Sequence, residues 1–143
     1  ISLRALPIII LALRHGIKIG CTTGAIYGLI DCMLQPVIVH SIQFVLDYPV
    51  AFSGLGLVGL YRLFEFSEIS YARKRIYLAC FIFVGYAARF LSHFLSGFIF
   101  FGHYAPKGQS VWVYALTYNI GYLGPECLIL IFLTPFIMVR LPH

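Results

Sequence analysis

Four residues at spacings of four lie in one apolar stretch of the sequence: Arg89, His93, Gly97 and Phe101. In a helix, positions four apart fall along one face. A cation, an imidazole, a gap without a side chain and an aromatic ring would therefore form one stripe. The following segment, Gly102 to Gly108, predicts a turn, because its glycines and proline cannot continue the helix. This combination is typical of one wall of a binding site.

The composition is that of an integral membrane protein. Of the 143 residues, 61% are hydrophobic and 10% are charged, and the mean hydropathy is +0.93. An average globular domain has about 25% charged residues, and a chain this apolar would expose a large apolar surface in water. We therefore predict a single all-α membrane domain over residues 1–143, with room for about five helices of roughly 20 residues each.

The positions of the charges and cysteines argue against other classes of protein. The net charge of +5 does not indicate nucleic-acid binding, because the basic residues lie at the ends of apolar runs and form no patch. No nucleophile–base pair, metal-ligand spacing or phosphate-binding loop occurs in the sequence, so we expect no catalysis, no metal and no cofactor. Four cysteines lie singly in apolar segments, which favours buried free thiols: Cys21, Cys32, Cys80 and Cys127.

Five apolar segments are the candidates for membrane helices. They cover residues 2–13, 19–34, 40–61, 76–101 and 111–139. We expect an interruption at Asp47-Tyr48-Pro49 in the third segment and another around Gly121, Gly124 and Pro125 in the fifth. The polar segment from Arg62 to Arg75 predicts an aqueous loop.

The second segment carries two features whose role is either packing or a pocket. Gly20, Gly24 and Gly28 repeat every four residues, a spacing that lets two helices pack closely. Tyr27 and Asp31 lie towards the other end of the segment. They either border a cavity or, in the commoner case for the acid, lie at the membrane interface.

The basic residues predict the orientation of the chain. If the segments alternate in direction, only Arg4 and Lys107 fall near one side, and seven bases fall on the other: Arg14, Lys18, Arg62, Arg73, Lys74, Arg75 and Arg140. The richer side should be cytoplasmic, which puts the C-terminus inside and the loop around Pro106 outside. Ile1 would then lie outside. Because the chain begins without methionine and without a signal peptide, we expect an earlier helix to be missing.

Polar side chains on three segments are predicted to meet at one depth. Each ionisable group costs roughly 2.5–3.5 kcal/mol at mid-bilayer, so each needs a reason. At about 1.5 Å per residue from the outer ends, Asp47, His93 and Asn119 all lie about 10–12 Å deep, with Tyr114 above Asn119. This agreement predicts a shared pocket open to the outside. Taken alone, His93 would be a packing histidine that donates to a backbone carbonyl.

Two further charged residues lie deeper than the predicted pocket. Arg89 and Glu126 lie roughly 18 and 21 Å below the outer ends. We predict that they form a buried ion pair, because an unpaired buried charge would cost more than a paired one.

The predicted pocket has the chemistry for a flat organic cation. Its acid supplies a negative charge, and aromatic faces attract a cation by roughly 2 kcal/mol or more when they are desolvated. Tyr104 and Trp112 are weak evidence for this pocket, because interfacial tyrosine and tryptophan are ordinary membrane anchors.

Four stretches of the sequence resemble one known family. They are LRALPIIILALRHGIKIGCTTGAIYGLID, IQFVLDYPVAF, RFLSHFLSGFIFFGHYAPKG and YALTYNIGYLGPE. These stretches are similar to the thiamine-specific substrate-binding subunits, or S-components, of energy-coupling factor (ECF) transporters. The YAPKG loop, followed by a tyrosine and then an asparagine five residues on, is fairly specific. The resemblance covers nearly the whole chain and lacks only the family's first helix and the loop after it.

The resemblance implies a six-helix membrane fold, of which this chain holds about five helices. It implies high-affinity thiamine binding from the outer side of a bacterial cell membrane, without chemistry on the ligand. The implied partners are a transmembrane ECF coupling protein and two ABC ATPases.

The resemblance also implies which residues bind the ligand: Asp47, Tyr48, His93, Gly97, Phe101, Tyr114 and Asn119. Asp47 stands where the family usually has a glutamate, and Phe101 stands where a tryptophan commonly stacks on the ligand. Aspartate reaches one methylene less, and phenylalanine offers a smaller π surface. An S-component for a thiamine precursor or another vitamin therefore stays open. Outside the transport class, the alternatives are a small membrane enzyme and a scaffold.

Overall fold

The described residues form a bundle of five helices in which we find no strand. The computed structural model describes residues 2–64 and 66–140, without the side chains of Val139 and Arg140. Ile1, Glu65 and the Arg140 side chain, which entered the predictions above, lie outside this description. The helices are α1 (Ala5–His15), α2 (Ile17–Leu34), α3 (Ser41–Leu63), α4 (Tyr71–Phe100) and α5 (Val111–Arg140).

Four of these helices are long and apolar enough to cross a membrane, namely α2, α3, α4 and α5. The predicted all-α membrane architecture is thereby confirmed. Helix α1 has 11 residues, which corresponds to about 16 Å, about half the thickness of the hydrocarbon core.

Helix α1 supplies much of the apolar core. Ile8 and Ile9 of α1 are fully buried, as are Leu55 of α3, Ile82 of α4 and Leu130 of α5. The short helix therefore lies among the longer ones and fills the bundle at a distance from the polar groups described below.

At Asp47-Tyr48-Pro49, where we predicted an interruption of α3, the α-helix changes to another helix type but the helix does not end. The helix continues through these residues as a π-helical turn over Leu46–Val50. It then runs as α-helix over Ala51–Gly54 and as 3₁₀-helix over Leu55–Leu63. Pro49 lacks an N–H, and a wider local turn absorbs such a defect without ending the helix.

Helix α5 also continues where we expected a break. It runs from Val111 to Arg140 with Pro125 and Pro135 inside it. In a membrane, exposed backbone groups find no water, so a helix tolerates glycine and proline that would end it in a soluble protein.

Another correction concerns the predicted Arg62 to Arg75 loop, since Arg73, Lys74 and Arg75 belong to the first turns of α4.

The glycines of α2 bring its backbone against α3, as the four-residue spacing predicts. A Cβ atom added to Gly24 would overlap the carbonyl oxygen of Phe52, and one added to Gly28 would overlap that of Tyr48. Gly20 approaches Gly56 in the same way. This contact fixes the rotation of α3 and its distance from α2. Helix α3 carries Asp47.

We predict that Gly24→Ala destabilises the bundle by about 1–3 kcal/mol, because α2 and α3 must separate to admit the methyl group. Thermal or chemical unfolding of the purified protein in detergent measures this effect. Gly121→Ala is the matched control, since a Cβ atom there meets nothing within 4 Å. Equal stability of the two variants would contradict the tight α2–α3 contact.

Candidate functional site

A cavity of about 410 Å³ opens between α3, α4 and α5, near the end of the bundle predicted to face outward. All seven residues that the resemblance implied as ligand-binding line it: Asp47, Tyr48, His93, Gly97, Phe101, Tyr114 and Asn119. Six further residues complete the lining: Val37, Gln43, Tyr104, Ala115, Tyr118 and Tyr122.

The carboxylate of Asp47 is held by three side chains. The Oδ2 atom accepts hydrogen bonds from Nε2 of Gln43 and Oγ of Ser96, each at 2.7 Å. The Oδ1 atom lies 3.0 Å from Nδ1 of His93. Because Ser96 and His93 belong to α4, these bonds tie α3 to α4 at the level of the cavity. The carboxylate is thus fixed in orientation.

His93 has one ring nitrogen that is committed and one that is not. Its Nδ1 pairs with Asp47, and an ionised carboxylate can only accept, so the Nδ1 proton lies between them. Nε2 is buried and has no hydrogen-bond partner among the described residues. A buried polar atom without a partner is costly, so a ligand that satisfies Nε2 gains free energy. The imidazole thus pairs with a carboxylate, where a packing histidine would use a backbone carbonyl.

The segment between α2 and α3 is anchored to the cavity by two side chains of α3. Gln43, only 1% exposed, donates to the carbonyl oxygen of Val37 and accepts from the N–H of Val39. The hydroxyl of Tyr48 accepts from the N–H of Val37 at 2.9 Å and donates to the carbonyl oxygen of Gln35 at 3.0 Å. The ring of Tyr48 therefore lines the cavity, while its hydroxyl bonds to the backbone of the segment between α2 and α3.

The α5 wall consists of tyrosines and one amide. The rings of Tyr114, Tyr118 and Tyr122 follow one another at centroid distances of 6.0 and 5.8 Å. Asn119 is buried, and its Nδ2 atom donates to the carbonyl oxygen of Ala115 at 2.8 Å. Its Oδ1 atom accepts from the hydroxyl of Tyr122 at 3.1 Å. This wall can stack on a flat ring and bond to its polar edge.

The outer part of α4 supplies a close contact with α5 and a further aromatic face. A Cβ atom on Gly97 would lie 3.4 Å from the Cβ atom of Ala115 and 3.6 Å from Nδ2 of Asn119, so α4 packs closely on α5 at this glycine. Phe101 follows the last residue of α4, and its ring lies 6.2 Å from that of Tyr104. The predicted turn after Phe101 is confirmed, with a 3₁₀ turn over Gly102–Tyr104.

Arg89 and Glu126 lie outside the cavity lining and form an ion pair of 2.9 Å. The same Glu126 carboxylate accepts from the hydroxyl of Tyr86 and, through Oε1, from the hydroxyl of Ser2 at 2.7 Å. The Arg89 guanidinium also lies over the ring of Phe52, 4.5 Å from its centroid. The pair ties α4 to α5 beneath the site.

Two residues that could have bordered a cavity lie elsewhere. Asp31 forms an ion pair of 2.7 Å with the partly exposed Arg4. Tyr27 packs on Phe52, with 5.1 Å between the ring centroids. Trp112 is absent from the cavity lining and is exposed.

Sequence reasoning missed several lining residues although the sequence carried a signal for some of them. Tyr118 and Tyr122 follow the predicted Tyr114 at intervals of four residues, as in the stripe on α4, and would have been found by the same test. Gln43 lies one turn before Asp47, but nothing in its spacing distinguishes it from a surface glutamine. In the parts of the chain that the structure describes, no group of three or more His, Cys, Asp or Glu could hold a metal ion.

Comparison with known proteins agrees with the family resemblance of the sequence motifs. The sequence matches the family described as thiamine transporter protein (Thia_YuaJ) over residues 1–143. The chain belongs to this family. The resemblance found in the sequence motifs is thereby confirmed, and the chain is a transport protein and not an enzyme.

Two curated relatives carry the name thiamine transporter ThiT. The protein of Bacillus subtilis (strain 168) is 35% identical over 133 residues, which cover 90% of this chain and 69% of that protein. The protein of Lacticaseibacillus paracasei is 34% identical over 124 residues, which cover 81% of this chain and 61% of that protein. The chain thus spans about two thirds of the length of these relatives.

A solved structure of ThiT from Listeria monocytogenes has the same fold. The TM-score is 0.71 at 23% sequence identity, and the match covers 93% of this chain and 73% of that one.

We predict that breaking the Arg89–Glu126 pair from one side costs more stability than removing both partners. Arg89→Met should cost about 3–5 kcal/mol, because it leaves the Glu126 carboxylate buried without a counter-charge. The double variant with Glu126→Met should lose less than the sum of the two single losses. Unfolding of the purified variants in detergent measures these losses.

Arg4→Met is the matched control for this double-mutant cycle. It removes the partly exposed ion pair with Asp31, and such pairs contribute about 0–1 kcal/mol. If the losses of unfolding free energy from Arg89→Met and Glu126→Met simply add up in the double variant, the two side chains have no coupling energy and the prediction fails.

Proposed function

We propose that this protein binds thiamine from the outer side of the cell membrane and takes part in its uptake as an S-component. One observation carries the proposal: a single carboxylate, Asp47, lies in a cavity whose other walls are mostly aromatic, in a chain that belongs to the thiamine transporter family. Thiamine has a permanent positive charge on its thiazolium ring and a second, flat aminopyrimidine ring. Its chemistry therefore matches the cavity.

The charge of the cavity supports a cationic ligand. Gln43 and Ser96 donate to the Asp47 carboxylate without adding a charge, and His93 pairs with it through Nδ1. A carboxylate partly buried in a membrane bundle is costly, and a bound cation offsets this cost. A neutral ligand would leave the charge uncompensated, which disfavours an uncharged precursor.

The remaining groups have complementary roles in the proposed site. The rings of Phe101 and Tyr114 offer stacking and cation–π faces. Nε2 of His93 and the free edge of the Asn119 amide are available for polar atoms of the ligand. Gly97 lets α4 pack closely on α5, and Tyr48 packs beside the acid. The volume of the cavity lies within the range of about 300–1,000 Å³ typical of small-molecule sites.

The two departures from the family pattern are compatible with the same ligand. The shorter Asp47 is brought to the cavity on a π-helical turn and is fixed by donors from two helices. Phe101 has the smaller π surface, but the tyrosines of α5 add further rings on the opposite wall. We propose that these rings compensate for the missing tryptophan.

Uptake needs an energy source outside this chain. The sequence contains no phosphate-binding loop, so we propose that a transmembrane ECF coupling protein and two ABC ATPases supply it. The distribution of basic residues supports a C-terminus in the cytoplasm.

We predict that thiamine binds the purified protein and that Asp47→Asn weakens its affinity about 10–100-fold, as expected for a hydrogen-bonded charge. Asn119→Ala should weaken the affinity about 5–100-fold, because it leaves polar atoms of the ligand unpaired. Isothermal titration calorimetry with thiamine measures both effects. Asp31→Asn is the matched control, since this acid lies outside the cavity.

Two outcomes would overturn this assignment. Unchanged affinity in both Asp47→Asn and Asn119→Ala would remove the proposed pocket. Failure of thiamine to bind, together with tight binding of the pyrimidine precursor or another vitamin, would show that the substrate is a different one.

We predict that a fluorescent protein fused to the C-terminus is fluorescent in bacterial cells, because the C-terminus faces the cytoplasm. Alkaline phosphatase inserted after Lys107 should be active, because this predicted loop lies on the outer side of the membrane. The two reporters exchanged between these positions serve as controls. The reverse pattern would invert the proposed orientation, and the cavity would then open to the cytoplasm.

A further inference from the structure

We propose that Tyr122 is a positioning residue for ligand recognition, which acts by fixing the amide of Asn119 and the imidazole of His93 in one arrangement. The inference rests on the proposed function, because it concerns the same cavity. It assigns a role to a residue that the sequence motifs did not single out.

The first observation is the orientation of the Asn119 amide. Nδ2 donates to the carbonyl oxygen of Ala115 at 2.8 Å, and a carbonyl oxygen can only accept. The amide oxygen must then face the hydroxyl of Tyr122, which donates to it at 3.1 Å. Both ends of the amide are thus fixed, and one N–H and one lone pair are left for a ligand. Without the Tyr122 hydroxyl, only the bond to Ala115 would hold the amide.

The second observation is the contact of the Tyr122 ring with the opposite wall. The ring meets that of His93 edge to face, with 6.0 Å between centroids and 68° between planes. Since His93 pairs with Asp47, Tyr122 links the amide on α5 to the imidazole on α4 and to the acid on α3. Aromatic pairs of this geometry prefer a defined orientation. One side chain therefore touches both polar walls of the cavity.

Tyr118 provides a comparison within the same helix. It also lines the cavity and stacks with its neighbours on α5. Its side chain is exposed, and its hydroxyl makes no hydrogen bond within the described ranges. Within the described residues, only the hydroxyl of Tyr122 bonds to Asn119.

The test is a double-mutant cycle of Tyr122→Phe and Asn119→Ala, with thiamine as the ligand in calorimetry. Tyr122→Phe should weaken the affinity about 3–10-fold, in line with the net contribution of one hydrogen bond. In the Asn119→Ala background the same change should alter the affinity less than about twofold, because the hydroxyl acts through the amide. Tyr27→Phe is the control and should also stay within about twofold, because Tyr27 packs on Phe52 outside the cavity lining.

A second measurement does not depend on the ligand. The side-chain amide signals of Asn119 in ¹⁵N NMR, assigned by their loss in Asn119→Ala, should shift in Tyr122→Phe and stay unchanged in Tyr27→Phe. Unfolding of the unliganded Tyr122→Phe variant shows whether the substitution lowers the stability of the whole protein. If it does, the NMR signals still report whether the Asn119 amide has lost its fixed orientation.

Three outcomes would overturn the positioning role. They are an affinity of Tyr122→Phe equal to that of the unaltered protein, additive losses in the cycle, and unchanged amide signals. Failure of the unaltered protein to bind thiamine would overturn the proposed function instead. The NMR result would then still decide whether Tyr122 fixes the amide.

Discussion

The position of the partly buried Asp47 carboxylate within a membrane bundle is the constraint on which the candidate site depends. An ionised group removed from water requires donors or a counter-charge. The bundle supplies donors: Gln43 from the same helix, and His93 and Ser96 from α4. The carboxylate is therefore held in place but keeps its charge. The need to satisfy one acid thus determines how α3 meets α4 and gives the cavity its negative charge.

A second polar layer completes the frame beneath the cavity. Arg89 and Glu126 tie α4 to α5, while the Asp47 network ties α3 to α4. All three helices that line the cavity are thus joined by charged or polar groups at two depths. The phenylalanine and tyrosine rings that line the cavity belong neither to the ion pair nor to the Asp47 network, so their faces can contact a ligand. Helix α1 and its apolar neighbours fill the rest of the bundle.

Much of the site could be predicted because spacing and depth are read directly from sequence. The interval of four placed His93 and Gly97 on one face, and counting residues put Asp47 and Asn119 at the same level. The break expected near Pro125 was wrong, since it assumed the behaviour of helices in water. Gln43 could not be found, because its role depends on a loop that only the folded chain brings beside it.

The sequence by itself determined the membrane class, the number of helices and the chemistry of one acid among aromatic rings. Hydrophobicity and charge decide these properties residue by residue. Only the tertiary structure decided which polar groups meet: Asp31 pairs with Arg4 outside the cavity, and Tyr122 bonds to Asn119 within it. The physical reason is that a periodic pattern defines the face of a helix. The rotation of that face towards its neighbours follows from close packing, as between Gly24 and α3.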